Sequence, residues 1–374
     1  MRNFNEVKNI IIKIGSSSLC DDQEKLDTEI ILRFIEQIAK IRKKGIQVTL
    51  VSSGAIKTGL ESMHLTKKPQ HLPDKQALAA IGQASLMRTY DNLFSLYHIK
   101  IAQILMNHDD FDNRKRLLNF YNTMQSLIKY DVLPIINEND TLAVDEIKVG
   151  DNDTMASLLV PSINADLVIL ISDIDGLYDS NPHINKEAKL IQDVYGITPE
   201  IESMASDTNT SMGTGGMLTK INAAKICNEY GCDMAIVNGK KPNVLLDLLD
   251  GKPVGTLFHG NIGRNLNSRQ HWIMYQSWSK GSIIIDEGCK KALIRHKSLL
   301  PSGIINIIGN FTMSCVVDVV DENNIKIAKG ITNYSSDDIQ LIKGKKTNEI
   351  SKLLNSNDYD EIIHANNMVL IKEI

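Results

Sequence analysis

Short, continuously apolar segments alternate with segments of helical periodicity over the first two-thirds of the chain. Residues 10–14 and 166–171 are two such apolar segments, and residues 29–44 place apolar side chains at helical spacing before Gly45. Strands that are apolar on both faces must be covered on both faces, which is typical of parallel strands joined by helices. The sequence therefore predicts an α/β fold with a mainly parallel sheet sandwiched by helices. The predicted strands are residues 10–14, 48–51, 100–105, 132–136, 166–171 and 234–237, and the predicted helices are residues 29–44, 76–97 and 117–129.

The chain has 374 residues, which is too long for one ordinary core, and its composition changes after about residue 260. Residues 261–279 are polar, and the later segments are shorter and richer in predicted strands. We therefore predict a first domain of residues 1–262, a linker of residues 263–279 and a small β-rich domain of residues 280–374. The predicted strands of the small domain are residues 282–285, 304–308, 315–320 and 326–329.

Composition and charge exclude several classes of protein. A hydrophobic content of 43% and a charged content of 23% are those of an ordinary globular protein, and a net charge of -4 argues against a general nucleic-acid binder. The five cysteines show neither a CxxC pair nor metal-site spacing, which favours reduced thiols. The amino terminus lacks the features of a signal peptide, and no apolar run approaches the ~20 residues that span a bilayer. We expect a cytoplasmic protein without membrane association.

Polar clusters follow four of the predicted strands, at residues 15–18, 52–54, 137–140 and 172–175. One such cluster is ordinary turn chemistry. In parallel sheets, however, ligands bind beyond the carboxyl ends of the strands, and these ends share one edge of the sheet. Four clusters therefore predict a binding site there.

Two of these strand ends leave alternatives open. Lys13 lies inside an apolar strand, so it is either an edge-strand lysine that reaches water or a buried lysine that meets an anion. Gly15 and the serines that follow favour the second interpretation, because small residues let backbone N–H groups approach phosphate oxygens. Ser53 is either a helix N-cap or part of an anion site at a helix N-terminus.

Residues 136–159 and 213–220 contain the most unusual clusters of side chains. The first segment is either a solvated acidic loop or a set of amides and carboxylates that binds an amino acid or orients a lysine. Its polar residues are Asn137, Asn139, Asp140, Asp151, Asn152 and Asp153. The second segment, GTGGMLTK, is rich in glycine but is not a Walker A loop, because position 219 is Thr.

Together and in this order, these stretches resemble the glutamate 5-kinase family of the amino acid kinase superfamily. The resemblance covers essentially the whole chain, because the segment after Ser282 resembles a PUA domain. The matching stretches are IIIKIGSSSL (10–19), VSSGAI (51–56), AAIGQ (79–83), PIINEND (134–140), IKVGDND (147–153), SDIDGLY (172–178), GTGGMLTK (213–220) and VGTLFH (254–259).

The resemblance implies ATP-dependent phosphorylation of the γ-carboxylate of L-glutamate, the first step of proline synthesis. It also implies Mg²⁺, inhibition by proline, and a homo-oligomer, either a dimer or a tetramer. Carried over by motif, the catalytic residues are Lys13, Lys220 and Asp151, with Asp151 orienting the two lysines. The ATP-binding residues are Lys13, Ser172, Asp173, Thr214, Gly215, Gly216, Met217, Leu218, Thr219 and Lys220. The substrate-binding residues are Ser53, Asn137, Asp140, Asn152 and Asp153.

Two other functions have to be weighed against this interpretation. An aspartate kinase or an acetylglutamate kinase is the nearest alternative, but the tail looks unlike the regulatory ACT repeats of aspartate kinases. An inactive, RNA-binding or regulatory relative is the second alternative, and the retained Lys13, Lys220 and Asp151 argue against it. Residues 278–374 contain 12 Lys/Arg and 12 Asp/Glu. This balance gives little attraction for phosphates, which makes RNA binding by the PUA-like domain doubtful.

Overall fold

The structure of the chain is a computed structural model that describes residues 2–21, 25–67, 69–142, 152–182, 184–206, 216–260, 273, 277, 279–345, 354 and 359–371. The chain forms two compact units, Met1–Arg264 and Asn265–Ile374. Most of the predicted linker lies outside the described residues. The limits of the three predicted segments therefore stay predictions.

An eight-stranded sheet forms the centre of the first unit. Its strands are β1 (Asn9–Ile14), β2 (Gln47–Ser52), β3 (Ile101–Met106), β4 (Leu133–Glu138), β5 (Leu167–Ser172), β6 (Asp193–Val194), β7 (Asp233–Asn238) and β8 (Thr256–Phe258). Their order in the sheet is β3-β4-β2-β1-β5-β7-β8-β6. Neighbouring strands pair in parallel, except for the antiparallel pair β7 and β8.

Ten helices are described in the first unit. They are α1 (Thr28–Lys43), α2 (Ala55–Ser62), α3 (Leu72–Ser95), α4 (His108–Asp112), α5 (Arg114–Lys129), α6 (Asn152–Leu158), α7 (Val160–Ile163), α8 (Pro199–Ser206), α9 (Met217–Glu229) and α10 (Val244–Leu249). The start of α1 shows the local cause, since the side chain of Asp27 accepts hydrogen bonds from Glu29 N and Ile30 N. In the described ranges, no helix is long and apolar enough to cross a membrane.

Helices cover both faces of the sheet, as the apolar strands predict. Ile10 and Ile12 of β1 belong to one buried cluster, together with residues of α1, α3 and α10. Ile11, which points to the other face, belongs to a second cluster with residues of α5, α6 and α9. The alternation of side chains along a strand therefore divides the apolar residues between two helical layers.

The six predicted strands of this unit are confirmed, each within two residues. Helix α3 begins at Leu72 rather than at the predicted residue 76, because Pro73 is well suited to the first turn of a helix. It ends at Ser95, shortly before His98 adopts a left-handed conformation (φ 58°). The strands β6 and β8 were not predicted, because two or three residues are too few to show a periodic pattern.

The second unit contains a five-stranded sheet and two helices. Its elements are β9 (Ser282–Ile285), α11 (Glu287–Ile294), β10 (Ile304–Ile308), β11 (Val316–Val320), β12 (Lys326–Ile331), α12 (Ser336–Ile342) and β13 (Met368–Leu370). The sheet order is β10-β9-β11-β12-β13, and the unit has its own buried cluster, which includes Ile283, Val317 and Ile339. The predicted small β-rich fold is confirmed, while β13 was not predicted.

Candidate active site

The carboxyl ends of β4, β2, β1 and β5 lie side by side at one edge of the first sheet. Lys13 is one residue before the end of β1, where it pairs with Val51 of β2 and Leu170 of β5. Its side chain is only 10% exposed. Lys13 is therefore a central-strand lysine, and the edge-strand interpretation is wrong.

A buried carboxylate, Asp153, lies between two buried lysines at this edge. Its Oδ1 pairs with Lys13 Nζ, and its Oδ2 is 2.8 Å from Lys220 Nζ. The side chain of Asp153 is fully buried, and that of Lys220 is 5% exposed. One carboxylate shared by two ammonium groups leaves an excess of positive charge in a region with little water, which attracts an anion such as a phosphoryl group.

Opposing effects act on the pKa of the Asp153 carboxyl. Burial by itself would raise this pKa, whereas the charges and hydrogen bonds of Lys13 and Lys220 lower it. The two lysines prevail, and the pKa lies below its ordinary value. Asp153 is therefore an anion at neutral pH.

Helix α9 places Lys220 at this point. Gly216 precedes the helix in an extended conformation and has no side chain with which to cap the first N–H groups. Lys220 follows one turn later on the buried face, together with Met217 and Ile221. Leu218 is 50% exposed, and Thr219 Oγ1 donates to Gly216 O (2.7 Å). The uncapped helix start and the ammonium group thus lie within one turn of each other, an arrangement suited to phosphate.

A chain of side-chain hydrogen bonds lies at the neighbouring ends of β2 and β4. Asn152 Nδ2 donates to Ser53 Oγ (2.6 Å), to Ser52 O (3.1 Å) and to Asn137 Oδ1 (3.2 Å). The N-cap of α2 is Gly54, with φ of 106° and no side-chain cap. Ser53 is therefore not an N-cap, and the hydrogen bond to its hydroxyl comes from Asn152.

Asn152 Oδ1 is buried and has no hydrogen-bond partner among the described residues. A buried acceptor without a partner is uncommon in folded proteins, and it is explained if a ligand supplies the donor. Asn152 immediately precedes Asp153, so this acceptor lies beside the buried ion pairs. The arrangement suits a small polar ligand whose donor group faces Asn152.

A cavity of about 280 Å³ lies next to these residues. Helix α3, strand β3 and the segment after β4 line it, and its polar residues include Gln83, Gln103, Glu138, Asn139 and Asp140. Asp140 is half-buried. The structure thus places Asp140 in the wall of a cavity whose size suits a small molecule.

Ser172 and Asp173 lie on the other side of Lys13, at the end of β5. Ser172 is buried and its hydroxyl donates to Asp173 Oδ1 (3.1 Å), while Asp173 is exposed. Two residues further on, the Asp175 carboxylate is held by Lys241 Nζ (2.6 Å) and Asn238 Nδ2 (3.2 Å). The hydrogen bond from Lys241 is the main cause of the lowered pKa of Asp175.

The structure assigns the ion pairs differently from the sequence analysis. Asp153, which was grouped with the substrate residues, makes both contacts to the lysines. A carboxylate three residues before the buried Ala156, on the inner face of α6, was the available signal, since such a group requires cations. Asp151, Thr214 and Gly215 lie outside the described residues, and their predicted roles stay predictions.

No group of three His, Cys, Asp or Glu side chains that could hold a metal occurs in the described ranges. The buried carboxylate of the site is already engaged by two lysines. These residues suit a divalent ion that is held mainly by the phosphates of a nucleotide and by water, as Mg²⁺ usually is.

Two family models match the sequence. The model of the Amino acid kinase family matches residues 8–238, and that of the PUA domain matches residues 281–354. The first match contains the ends of β1, β2, β4 and β5 together with α6 and α9.

Named relatives match nearly the whole chain. A protein named Glutamate 5-kinase from Thermoanaerobacter sp. (strain X514) is 46% identical over 364 residues, which are 97% of this chain and 98% of the relative. The Glutamate 5-kinase of Dictyoglomus thermophilum is 43% identical over 370 residues, or 98% and 99% of the two chains. Among solved structures, a carbamate kinase from Giardia lamblia bound to AMP-PNP aligns with a TM-score of 0.50 at 18% identity, covering 68% of this chain and 99% of its own, which supports the fold alone.

Proposed function

Because the chain belongs to the amino acid kinase family, we propose that it transfers the terminal phosphoryl group of ATP to the γ-carboxylate of L-glutamate. The product is γ-glutamyl phosphate. The observation that carries the proposal is the buried pair of lysines held by one carboxylate. Similarity over nearly the whole chain to proteins named Glutamate 5-kinase supports the choice of substrate.

The chemistry needs positive charge more than it needs a base. In phosphoryl transfer, charge builds up on the transferred oxygens and on the leaving oxygen, and preorganised cations stabilise it. Lys13 and Lys220 supply these cations in our proposal, and Asp153 keeps both side chains in place. The attacking γ-carboxylate is already ionised at neutral pH, so the reaction needs no general base.

ATP lies on the β5 and α9 side in this proposal. The nucleotide contacts are Ser172 and Asp173, the N–H groups from Gly216 onward, and the predicted Thr214 and Gly215. Met217, Leu218 and Thr219 belong to the same first turn of α9. Mg²⁺ enters with the phosphates of ATP and neutralises part of their charge when bound.

Glutamate lies on the β2 and β4 side. We assign Ser53, Asn137, Asp140 and Asn152 to its polar groups. Asp140 is the carboxylate of the nearby cavity wall and suits the ammonium group. Asp151 keeps its predicted role of orienting the two lysines, alongside Asp153.

We further propose that the reaction is the first step of proline biosynthesis in the cytoplasm, that proline inhibits it, and that the protein is a homo-oligomer, a dimer or a tetramer. These statements rest on the resemblance of the ordered motifs to the glutamate 5-kinase family.

The assay that tests this function measures ADP release from ATP and Mg²⁺ with glutamate, aspartate or acetylglutamate. We expect turnover of glutamate and its inhibition by proline. Turnover of aspartate or acetylglutamate without turnover of glutamate would contradict the proposed function. ATP-dependent activity with none of the three acids would favour the inactive regulatory relative.

We also propose that residues 1–262 form an independent kinase domain, followed by a linker of residues 263–279 and a PUA-like domain of residues 280–374. All described residues of the site precede residue 221. A chain truncated after residue 262 should therefore stay folded and retain kinase activity, as measured by circular dichroism and ADP release. A truncated chain that is insoluble or inactive, and that the separate tail does not rescue, would contradict domain independence.

A further inference from the structure

Helix α3 contacts the substrate-side strand ends at two buried points. Gln83 Oε1 accepts a hydrogen bond from Asn137 Nδ2 (2.8 Å), and Tyr90 OH lies 2.9 Å from Ser52 Oγ. Gln83 is 8% exposed. A glutamine is buried at low cost only where its amide group is hydrogen-bonded. Gln83 is therefore tied specifically to Asn137.

Close packing fixes Gln83 relative to the start of α2. A side chain on Gly82 would place its Cβ 1.8 Å from Ala55 O, and one on Gly59 would place it 2.0 Å from Leu78 O. The backbones of α2 and α3 therefore touch at both glycines. Gln83, the residue after Gly82, is thus held by a rigid pair of helices, and its side chain cannot follow a movement of Asn137.

The hydrogen bonds also determine which way the amides face. The N–H of Glu138 donates to Asn137 Oδ1 (2.9 Å), so the Nδ2 of Asn137 must face an acceptor, which Gln83 supplies. Asn137 Oδ1 in turn accepts from Asn152 Nδ2. The remaining oxygen, Asn152 Oδ1, is the buried acceptor without a partner in the described ranges.

We propose that Gln83 is a positioning and specificity-determining residue. Through Asn137 it holds Asn152 with its Oδ1 turned toward the ammonium group of the substrate. An ammonium group is a donor only and matches this acceptor, whereas a dicarboxylic acid without an amino group leaves the acceptor unpaired. The site thereby selects an amino acid over the corresponding acid. This inference rests on the proposed function, since it assigns the selectivity of that same site.

The test compares L-glutamate with glutarate, which has the same two carboxylates but no amino group. The KM for glutamate and the inhibition constant of glutarate are measured for the full chain, for Gln83→Met and for Gln83→Glu. Gln83→Met should raise the KM for glutamate on the order of 10-fold, as expected for a buried hydrogen-bonding group that loses its partner. The inhibition constant of glutarate and the KM for ATP should stay unchanged. Gln83→Glu retains an acceptor for Asn137 Nδ2 and should restore most of the affinity for glutamate.

Tyr90→Phe is the matched control, because it also removes one buried hydrogen bond between α3 and a strand end. It should lower the melting temperature and leave the ratio of the two constants unchanged. Equal weakening of glutamate and glutarate by Gln83→Met, or glutarate binding as tight as that of glutamate in the unmodified chain, would overturn the proposal. Failure of the unmodified chain to phosphorylate glutamate is a separate outcome and would contradict the proposed function instead.

Discussion

Replacing Lys220 with Met should lower kcat on the order of 10²–10³-fold, as the loss of one preorganised group does in other enzymes. The Lys220 ammonium group lies beside Lys13 at the sheet edge, where Asp153 holds both. In the proposed reaction its interaction with the phosphoryl group strengthens as charge builds up in the transition state. Such a loss appears in kcat rather than in the KM for ATP. Steady-state kinetics with both substrates varied measures the two separately.

Asp140→Ala should fail in a different way. Its carboxylate lines the cavity on the substrate side, so the KM for glutamate should rise on the order of 10-fold, the usual effect of losing one charged hydrogen bond. The KM for ATP should change little. Lys225→Met, on the same helix as Lys220, is the control, because its ion pair with Glu202 is well exposed (2.8 Å; side chains 39% and 42% exposed). It should leave kcat near the unmodified value.

If Lys220→Met left kcat unchanged while Asp140→Ala weakened ATP binding, the two sides of the site would be assigned wrongly. A loss of kcat in Lys225→Met as large as that in Lys220→Met would show that the effect belongs to helix α9 in general rather than to the position of one ammonium group.

Replacing Asp153 with Asn should cost both activity and stability. Asn has nearly the same shape but no charge, so Lys13 and Lys220 would face each other in a buried site without their shared anion. Breaking a buried ion pair by removing one partner typically costs about 3–5 kcal/mol. For a chain of this size that loss corresponds to a lower melting temperature by roughly 10 °C. Calorimetry and the ADP-release assay measure the two effects.

Two further variants test the electrostatic cause. Asp250→Asn removes one partner of an exposed pair with Lys44 (3.2 Å) and should change stability by less than about 1 kcal/mol. The double variant Lys13→Met with Asp153→Asn leaves one buried lysine instead of two, and it should recover part of the stability without recovering activity. A double variant less stable than Asp153→Asn alone would argue against repulsion between the lysines.

The pH dependence follows from the lowered pKa of Asp153. Because this pKa lies below the ordinary value of 3.8, the folded state favours the ionised carboxylate. The resulting stability is fully present above the ordinary pKa and is lost as pH falls through the lower pKa of the folded state. Denaturation curves should therefore show a constant difference between the unmodified chain and Asp153→Asn from neutral pH down to about pH 5, and a shrinking difference below pH 4. A difference that stays constant into strong acid would contradict the role of the carboxylate charge.

The core and the position of the site could be predicted from local patterns. Runs such as residues 10–14 and 166–171 are apolar at every position or nearly so, and only a sheet covered on both faces buries such strands completely. The polar residues after β1, β2, β4 and β5 could be located for the same reason, because parallel strands bring their carboxyl ends to one edge. Gln83 received no role in the sequence analysis, since a single polar residue in a helix has no periodic signal.

The sequence by itself determined the α/β architecture, the β-rich second fold and the two lysines of the site, because alternation, helical spacing and a lysine inside an apolar strand are local properties. Only the tertiary structure decided which carboxylate holds those lysines. Asp153 and Lys220 are 67 residues apart in the chain, and their contact depends on how α6 and α9 pack against one face of the sheet. Asp151 and Asp153 differ by two positions in sequence, and no local pattern ranks one carboxylate above the other. The choice depends on which side chain faces the buried ends of Lys13 and Lys220, and that orientation exists only once the sheet and both helices are assembled.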